Sequence, residues 1–312
     1  MHIFITGAAG FLGRRLATAL LVDASLGVER LTVADIAPVE MSDPRVDSVQ
    51  LNLADPAAVM AAVPAGVTAT YHLAAVVSSA AEADFDLGMR VNMDGTRNLL
   101  EALRSKAQGS RLVFTSSLAV YGGALPDTVS DATALTPQSS YGVQKAVGEL
   151  LVTDYSRKGF IDGVTLRLPT VSVRQGAPNK AASSFASDIL REPLFGRAAV
   201  CPVDPSLALW LTSPSAAVRS LVHALGVSTA GLTSRSVNAP GVTVTVQEMI
   251  ETLERVAGPE AATRIRYEQD AAIERIVASW PARFETTQAA ALGFAPSDTF
   301  KETVGTFVRE EL

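Results

Sequence analysis

Short apolar runs separated by longer amphipathic ones set the rhythm of the first half of the chain. "HIFIT", "RLTVADI", "ATYHLAA" and "RLVFTS" are apolar and brief, which predicts buried strands. Between them, "GRRLATALLVD" and "NMDGTRNLLEALRSK" predict helices. Strands that alternate with helices imply right-handed crossovers, and so an α/β fold with a parallel sheet covered on both faces. After "GVTLRLPTV" (163–171) the texture changes to loop formers in "SVRQGAPNKAASSFASDILREP". A further strand, "SVNAP" (236–240), precedes a helix in "TVQEMIETLERVAG". The expected division is residues 1–168, rejoined by a strand near 236–240, and residues 169–312, mainly a smaller, discontinuous lobe.

Size and charge narrow the choice. A chain of 312 residues can bury roughly three quarters of its unfolded surface, enough for one large α/β domain with a second lobe. The net charge of −6, with no basic tail or cluster, carries no footprint for nucleic acid. Three scattered histidines (His2, His72, His223) and one thiol, Cys201, make no metal-ligand spacing, so no metal is expected. A single cysteine also excludes an internal disulfide and suits a reducing compartment; a cytoplasmic location is the expectation. "MHIFITG" lacks the basic start of a targeting peptide. Pro56 to Ala81 carries no formal charge, but it is mostly Ala, Val, Thr and Ser and is broken by Pro64 and Gly66. It predicts a helix, a turn and a buried strand, and no membrane partner.

Chemistry enters at "FITGAAGFLGRRL". Gly7, Gly10 and Gly13 lie between a strand and a helix. A pyrophosphate needs backbone amides at a helix N-terminus and a close approach of the chain that only glycine permits. The spacing is GxxGxxG rather than GxGxxG, and an ordinary glycine-rich turn is the bland alternative. Asp35 ends the next strand, 22 residues after Gly13, where a carboxylate can accept the ribose hydroxyls of an adenosine. It would repel a 2′-phosphate, so NAD is expected over NADP. Arg14 and Arg15, on the glycine helix, are expected to face solvent. Asn52 and Leu53, after the third strand, suit either the adenine or a plain turn.

"SSYGVQKAVGE" places Tyr141 and Lys145 on one helix face. An ammonium beside a phenol favours the phenolate and would pull the tyrosine pKa below about 10, making a general base. Ser117 ends the strand "RLVFTSS", where a parallel sheet opens onto its ligand crevice. A YxxxK alone is weak, since an exposed aromatic–amine pair matches it equally.

The conjunction is specific. "TGAAGFLG" (6–13), "HLAA" (72–75), "VNMDGTRNLLEA" (91–102), "SSLAVYG" (116–122), "YGVQK" (141–145), "LRLPTV" (166–171) and "FETTQAAALGFAP" (284–296) occur in order over nearly the whole chain. In these the chain resembles the extended short-chain dehydrogenase/reductase family, in its NAD-dependent epimerase/dehydratase branch. The resemblance implies a Rossmann-type doubly wound sheet with catalytic Ser117, Tyr141 and Lys145. The serine four before the tyrosine of "SSLAVYG" selects Ser117 over Ser116. The resemblance also implies that Gly7, Gly10, Phe11, Leu12, Gly13, Asp35, Asn52, Leu53, Leu73, Ala74, Ala75, Asn92, Tyr141, Lys145 and Pro169 hold the cofactor. Leu73 to Ala75 as buried strand, Asn92 as helix cap and Pro169 as strand terminator are the structural alternatives. A homodimer through helices near 95–105 and 141–155 is implied too.

The substrate reading turns on departures from that branch. Thr170 stands where sugar-nucleotide members carry asparagine, and "ALWLTSPSAAV" replaces their aromatic-rich segment. The contacts for a nucleotide diphosphate therefore look absent. "VRQGAPNKAASSF" with "WLTSP" is more similar to a subgroup that oxidises a small sugar acid at carbon 2. Arg174 would bind the carboxylate, with Ser78, Ser183 or Ser184 on hydroxyls and Ser117, Tyr141 and Thr170 lining the pocket. Arg174 as a surface residue is the alternative, and Trp210 is expected in the core rather than as a pocket lid. Epimerase or dehydratase action and turnover-free NAD sensing are the alternatives.

Overall fold

The computed structural model describes residues 1–176, 181–232 and 234–312. The first half supplies strands β1 (His2–Thr6), β2 (Arg30–Asp35), β3 (Val46–Gln50), β4 (Ala69–His72), β5 (Arg111–Ser117) and β6 (Asp162–Leu168). The second supplies β7 (Thr170–Val171), β8 (Ala199–Cys201), β9 (Ala208–Thr212), β10 (Ser236–Asn238), β11 (Val242–Thr245) and β12 (Ile265–Tyr267). The main sheet runs β10-β6-β5-β4-β1-β2-β3 with every pairing parallel. Strand order reverses between β1 and β4, so a crevice opens beyond their C-terminal ends.

Alternation along each strand feeds two cores. Ile3 and Ile5 of β1 pack with Val33, Val113 and Leu166 on one face, against Leu16 and Leu20 of the helix Phe11–Val22. Phe4 points to the other face, with Leu112 and Phe114 of β5 against Leu99, Leu100 and Leu103. Both faces are therefore apolar, which is why these strands show so little polar alternation.

The long helix Ser140–Arg157 starts where Ser139 accepts a hydrogen bond from the Gly142 amide at 3.2 Å. A side chain at 142 would place its Cβ 2.1 Å from the Ala119 carbonyl oxygen. The glycine beside Tyr141 thus lets the helix settle on the turn that follows Ser117.

Two elements depart from expectation. The helix expected from Asn92 is entered by a π-helical turn, Met89–Asp94, before the α-helix Gly95–Lys106. The return to the main core is also broader than one strand near 236–240. Leu221 and Ala224 of helix Pro214–Ala224, then Ala289 and Phe294, join the core around β1. A separate core gathers Phe185, Ile189, Leu209, Leu211, Met249, Leu253 and Phe307 around the sheets β11-β9-β7 and β12-β8.

Candidate active site

At the C-terminal edge of β1 the chain turns through Gly7, at φ 77°, into the helix Phe11–Val22. Gly10 begins that helix with no side-chain cap. Its first backbone N–H groups therefore keep donors that the helix itself cannot satisfy. A Cβ on Gly7 would sit 2.5 Å from the Ala74 amide, and one on Gly13 2.2 Å from the Gly7 carbonyl oxygen. The loop is a cradle that side chains would fill, and it fits a pyrophosphate. Asp35 is aimed at it: one carboxylate oxygen accepts from the Ala9 amide and the other from Ala37, each at 3.0 Å.

The crevice continues for about 620 Å³ from this loop across β4 and β5 to the second lobe. Gly7, Gly10, Phe11, Leu12, Gly13, Asp35, Asn52, Leu53, Leu73, Ala74, Ala75 and Pro169 all line it. So do Ser117, Tyr141, Lys145, Ser78, Thr170, Arg174 and Ser183.

Lys145 is buried, and its ammonium donates to the Thr115 carbonyl oxygen at 2.7 Å. The Nζ atom also lies 5.8 Å from the Tyr141 ring centre. Ser116 donates its hydroxyl to Glu149, which is clamped in turn by Arg167 with Nη2 at 2.7 Å. That commitment leaves Ser117 as the serine whose hydroxyl meets Tyr141.

Electrostatics here correct the sequence expectation. Tyr141 is pushed up to about 12 by burial, with the Ser117 hydrogen bond easing it, rather than pulled down by Lys145. Lys145 is itself lowered to about 7, because burial disfavours its charge more than Glu149, one turn on, supports it. In the cofactor-free protein, Lys145 should lose its proton near pH 7, while exposed lysines hold theirs to about 10.4. The ε-carbon resonances of labelled lysine followed against pH check this; a Lys145 signal titrating with the others contradicts it. The linkage has a definite sign. Lysine burial lowers stability progressively as pH falls from its unfolded value to about 7, and by a constant amount below.

Two expected residues lie off the crevice wall, and Trp210 is in the core as expected. Asn92 does not line the crevice; its side-chain amide is spent on the Val76 backbone at 2.7 and 2.9 Å and on Gln144 at 2.8 Å. It braces the wall from behind. Ser184 does not line it either, and its hydroxyl donates to Asp188. Trp210 is a core residue, its ring 5.2 Å from that of Phe284. An aromatic that does line the crevice, beside Phe11 and Tyr141, is Trp280. "SWPAR" places it in a loop, where an aromatic is a stronger sign of function than one inside the apolar strand "ALWLT". Residues 177–180 of "VRQGAPNKAASSF" lie outside the described residues.

Arg174 is desolvated, which lowers its pKa against the opposing pull of Asp188. No salt bridge engages its guanidinium among the described residues.

His72 sits under the floor. Thr96 donates to the Asn92 carbonyl oxygen, so it accepts from His72 Nε2–H at 2.9 Å, and Nδ1 accepts from Thr6 at 2.7 Å. Burial and nearby Lys145 hold this imidazole neutral, at about 3.

Comparisons with known proteins agree with this geometry. Residues 3–230 match the NAD dependent epimerase/dehydratase family. D-erythronate dehydrogenase of Cupriavidus necator is 52% identical, covering 99% of this chain and 98% of its own. The protein of the same name from Haemophilus influenzae is 47% identical over the full length of both. Among solved structures, a nucleoside-diphosphate-sugar epimerase from Agrobacterium tumefaciens superposes with TM-score 0.92 at 43% identity, covering 100% of this chain and 94% of that one.

Proposed function

The chain belongs to the NAD dependent epimerase/dehydratase family, and from that premise we propose that it oxidises the C2 hydroxyl of D-erythronate to 2-dehydro-D-erythronate. It is a dehydrogenase of the short-chain type acting on CH–OH groups. The observation that carries the sugar-acid reading is Arg174, a desolvated cation with no salt-bridge partner among the described residues, in the same crevice as Ser117, Tyr141 and Lys145. A small carboxylate answers that charge with a two-pronged hydrogen bond. The two relatives named for D-erythronate are more similar to this chain than the solved structure titled an epimerase, which supports oxidation over epimerisation.

The uncapped helix end and the glycine loop would hold the pyrophosphate of NAD, and Asp35 the adenosine ribose, with NAD favoured over NADP. When bound, the nicotinamide supplies the acceptor for the hydride that leaves C2. Ser117 donates a hydrogen bond to the reacting oxygen, and Tyr141 takes its proton. Tyr141 needs its phenolate for this, yet burial raises its pKa in the free protein. The site therefore becomes basic only once positive charge gathers beside the phenol, which Lys145 would supply in its protonated form. Arg174 anchors the carboxylate, and Ser78, Thr170 and Ser183 offer hydroxyls to the rest of the substrate.

A panel of four-carbon sugar acids with NAD and NADP tests the reading. NADH should appear with D-erythronate, and far more slowly with NADP. Activity confined to nucleotide sugars overturns it. Exposed Val143 and Leu150, on the helix Ser140–Arg157, support a second copy of the chain as partner.

A further inference from the structure

The helix Phe185–Leu194 packs behind Arg174 and carries an ion pair that the proposed chemistry does not use. Asp188 Oδ1 accepts from Arg191 Nη2 at 2.6 Å, and Oδ2 accepts from the Ser184 hydroxyl at 3.1 Å. Both oxygens are thus engaged, although Asp188 attracts Arg174 through space. Arg191 is 2% exposed and is held at two further points. Its Nε donates to Glu192 at 2.8 Å, and its Nη1 donates to the backbone carbonyl oxygen of Arg174 at 3.0 Å. The Arg174 amide in turn donates to Ser187 at 3.1 Å. One face of this helix therefore fixes the backbone of residue 174 at both its polar groups. The same face occupies the one carboxylate acting on the Arg174 side chain among the described residues.

We propose that Arg191 is a positioning residue: by occupying Asp188 and tethering the Arg174 carbonyl, it keeps the Arg174 guanidinium free for the carboxylate of the substrate. This rests on the sugar-acid reading and extends it to residues that need not touch substrate. Two cations compete for Asp188, and Arg191 wins because it is buried against it in bonding contact. Without Arg191, a partly buried carboxylate would be left uncompensated, which is costly unless another cation takes its place. Arg174 is the remaining cation acting on Asp188 among the described residues. It would turn inward, and the substrate anion would meet a neutralised pair.

The test is the Michaelis constant and kcat for D-erythronate at saturating NAD, with calorimetric binding of a panel of four-carbon hydroxy acids to the NADH complex. Arg174→Met should raise KM by about 10- to 100-fold, the worth of charge-assisted hydrogen bonds. Arg191→Met should raise KM over the same range, with kcat and NAD binding little changed. Asp188→Asn combined with Arg191→Met should recover most of the lost affinity, since no carboxylate remains to capture Arg174. A merely structural role predicts instead that kcat and NAD affinity fall together with substrate affinity in Arg191→Met. If Arg174→Met is impaired while Arg191→Met is not, or if the double variant binds no better than Arg191→Met, the positioning role falls and the sugar-acid reading stands. If no acid binds the unaltered protein, or Arg174→Met changes nothing, both fall together.

Discussion

Tyr141→Phe should bind NAD within about twofold of the parent protein and lose roughly 10²- to 10⁴-fold in kcat, the span that a positioned acid–base group contributes. The substitution removes one oxygen and keeps the ring, so the crevice wall and the helix Ser140–Arg157 are preserved. The Ser117 hydroxyl loses its partner, but Ser117 still accepts from the Ala119 amide at 3.1 Å, which keeps that turn in place. Lys145 keeps its bond to the Thr115 carbonyl oxygen, so the cofactor side of the site is undisturbed. A loss confined to kcat therefore assigns the proton to Tyr141. Steady-state rates with D-erythronate, beside fluorescence titration of NADH, separate the two quantities. A variant retaining most of the parent rate removes Tyr141 from the chemistry.

What could be read without coordinates was what short-range spacing determines. Gly7, Gly10 and Gly13 lie within one loop, and Tyr141 and Lys145 one helical turn apart, so their association is local. The alternation of strands and helices sets the parallel sheet, and Ser117 follows from being at a strand end. The remainder depends on which elements meet. Trp280 reaches the crevice from a loop near the end of the chain, and no local period announces that. Asn92 lies within the π turn Met89–Asp94 and bonds the Val76 backbone, a detail that sequence periodicity does not carry. The electrostatic expectation failed for the same reason. Spacing predicts that a lysine sits beside a tyrosine, but only tertiary packing decides whether desolvation outweighs the attraction, and here it does. The choice between Ser183 and Ser184 is by contrast local, since Asp188, one helical turn on, claims the second.

Gly13→Ala should cost most of the NAD affinity and part of the stability, though it adds a single methyl group and alanine favours helices. Intrinsic propensity at a helix position argues the other way, by about 1 kcal/mol in favour of alanine. Packing decides against it. The new Cβ would lie 2.2 Å from the Gly7 carbonyl oxygen and 2.8 Å from the Ala8 Cα, both backbone atoms that no rotamer change can move aside. The helix Phe11–Val22 must then lift from the loop, and the amides at its start shift relative to Asp35, which holds the same loop through Ala9. Overpacking of this kind costs about 1–3 kcal/mol, and whatever share falls on the binding geometry weakens NAD by up to about 150-fold. The same methyl group on Gly27, which turns at φ 60° with open space around it, meets only backbone strain and lies outside the crevice. Gly27→Ala should therefore lower the melting temperature and leave NAD affinity unchanged. Paired melting curves and NADH titrations of the two variants distinguish a cradle from an ordinary turn: if both lose stability and neither loses affinity, the loop does not hold the pyrophosphate.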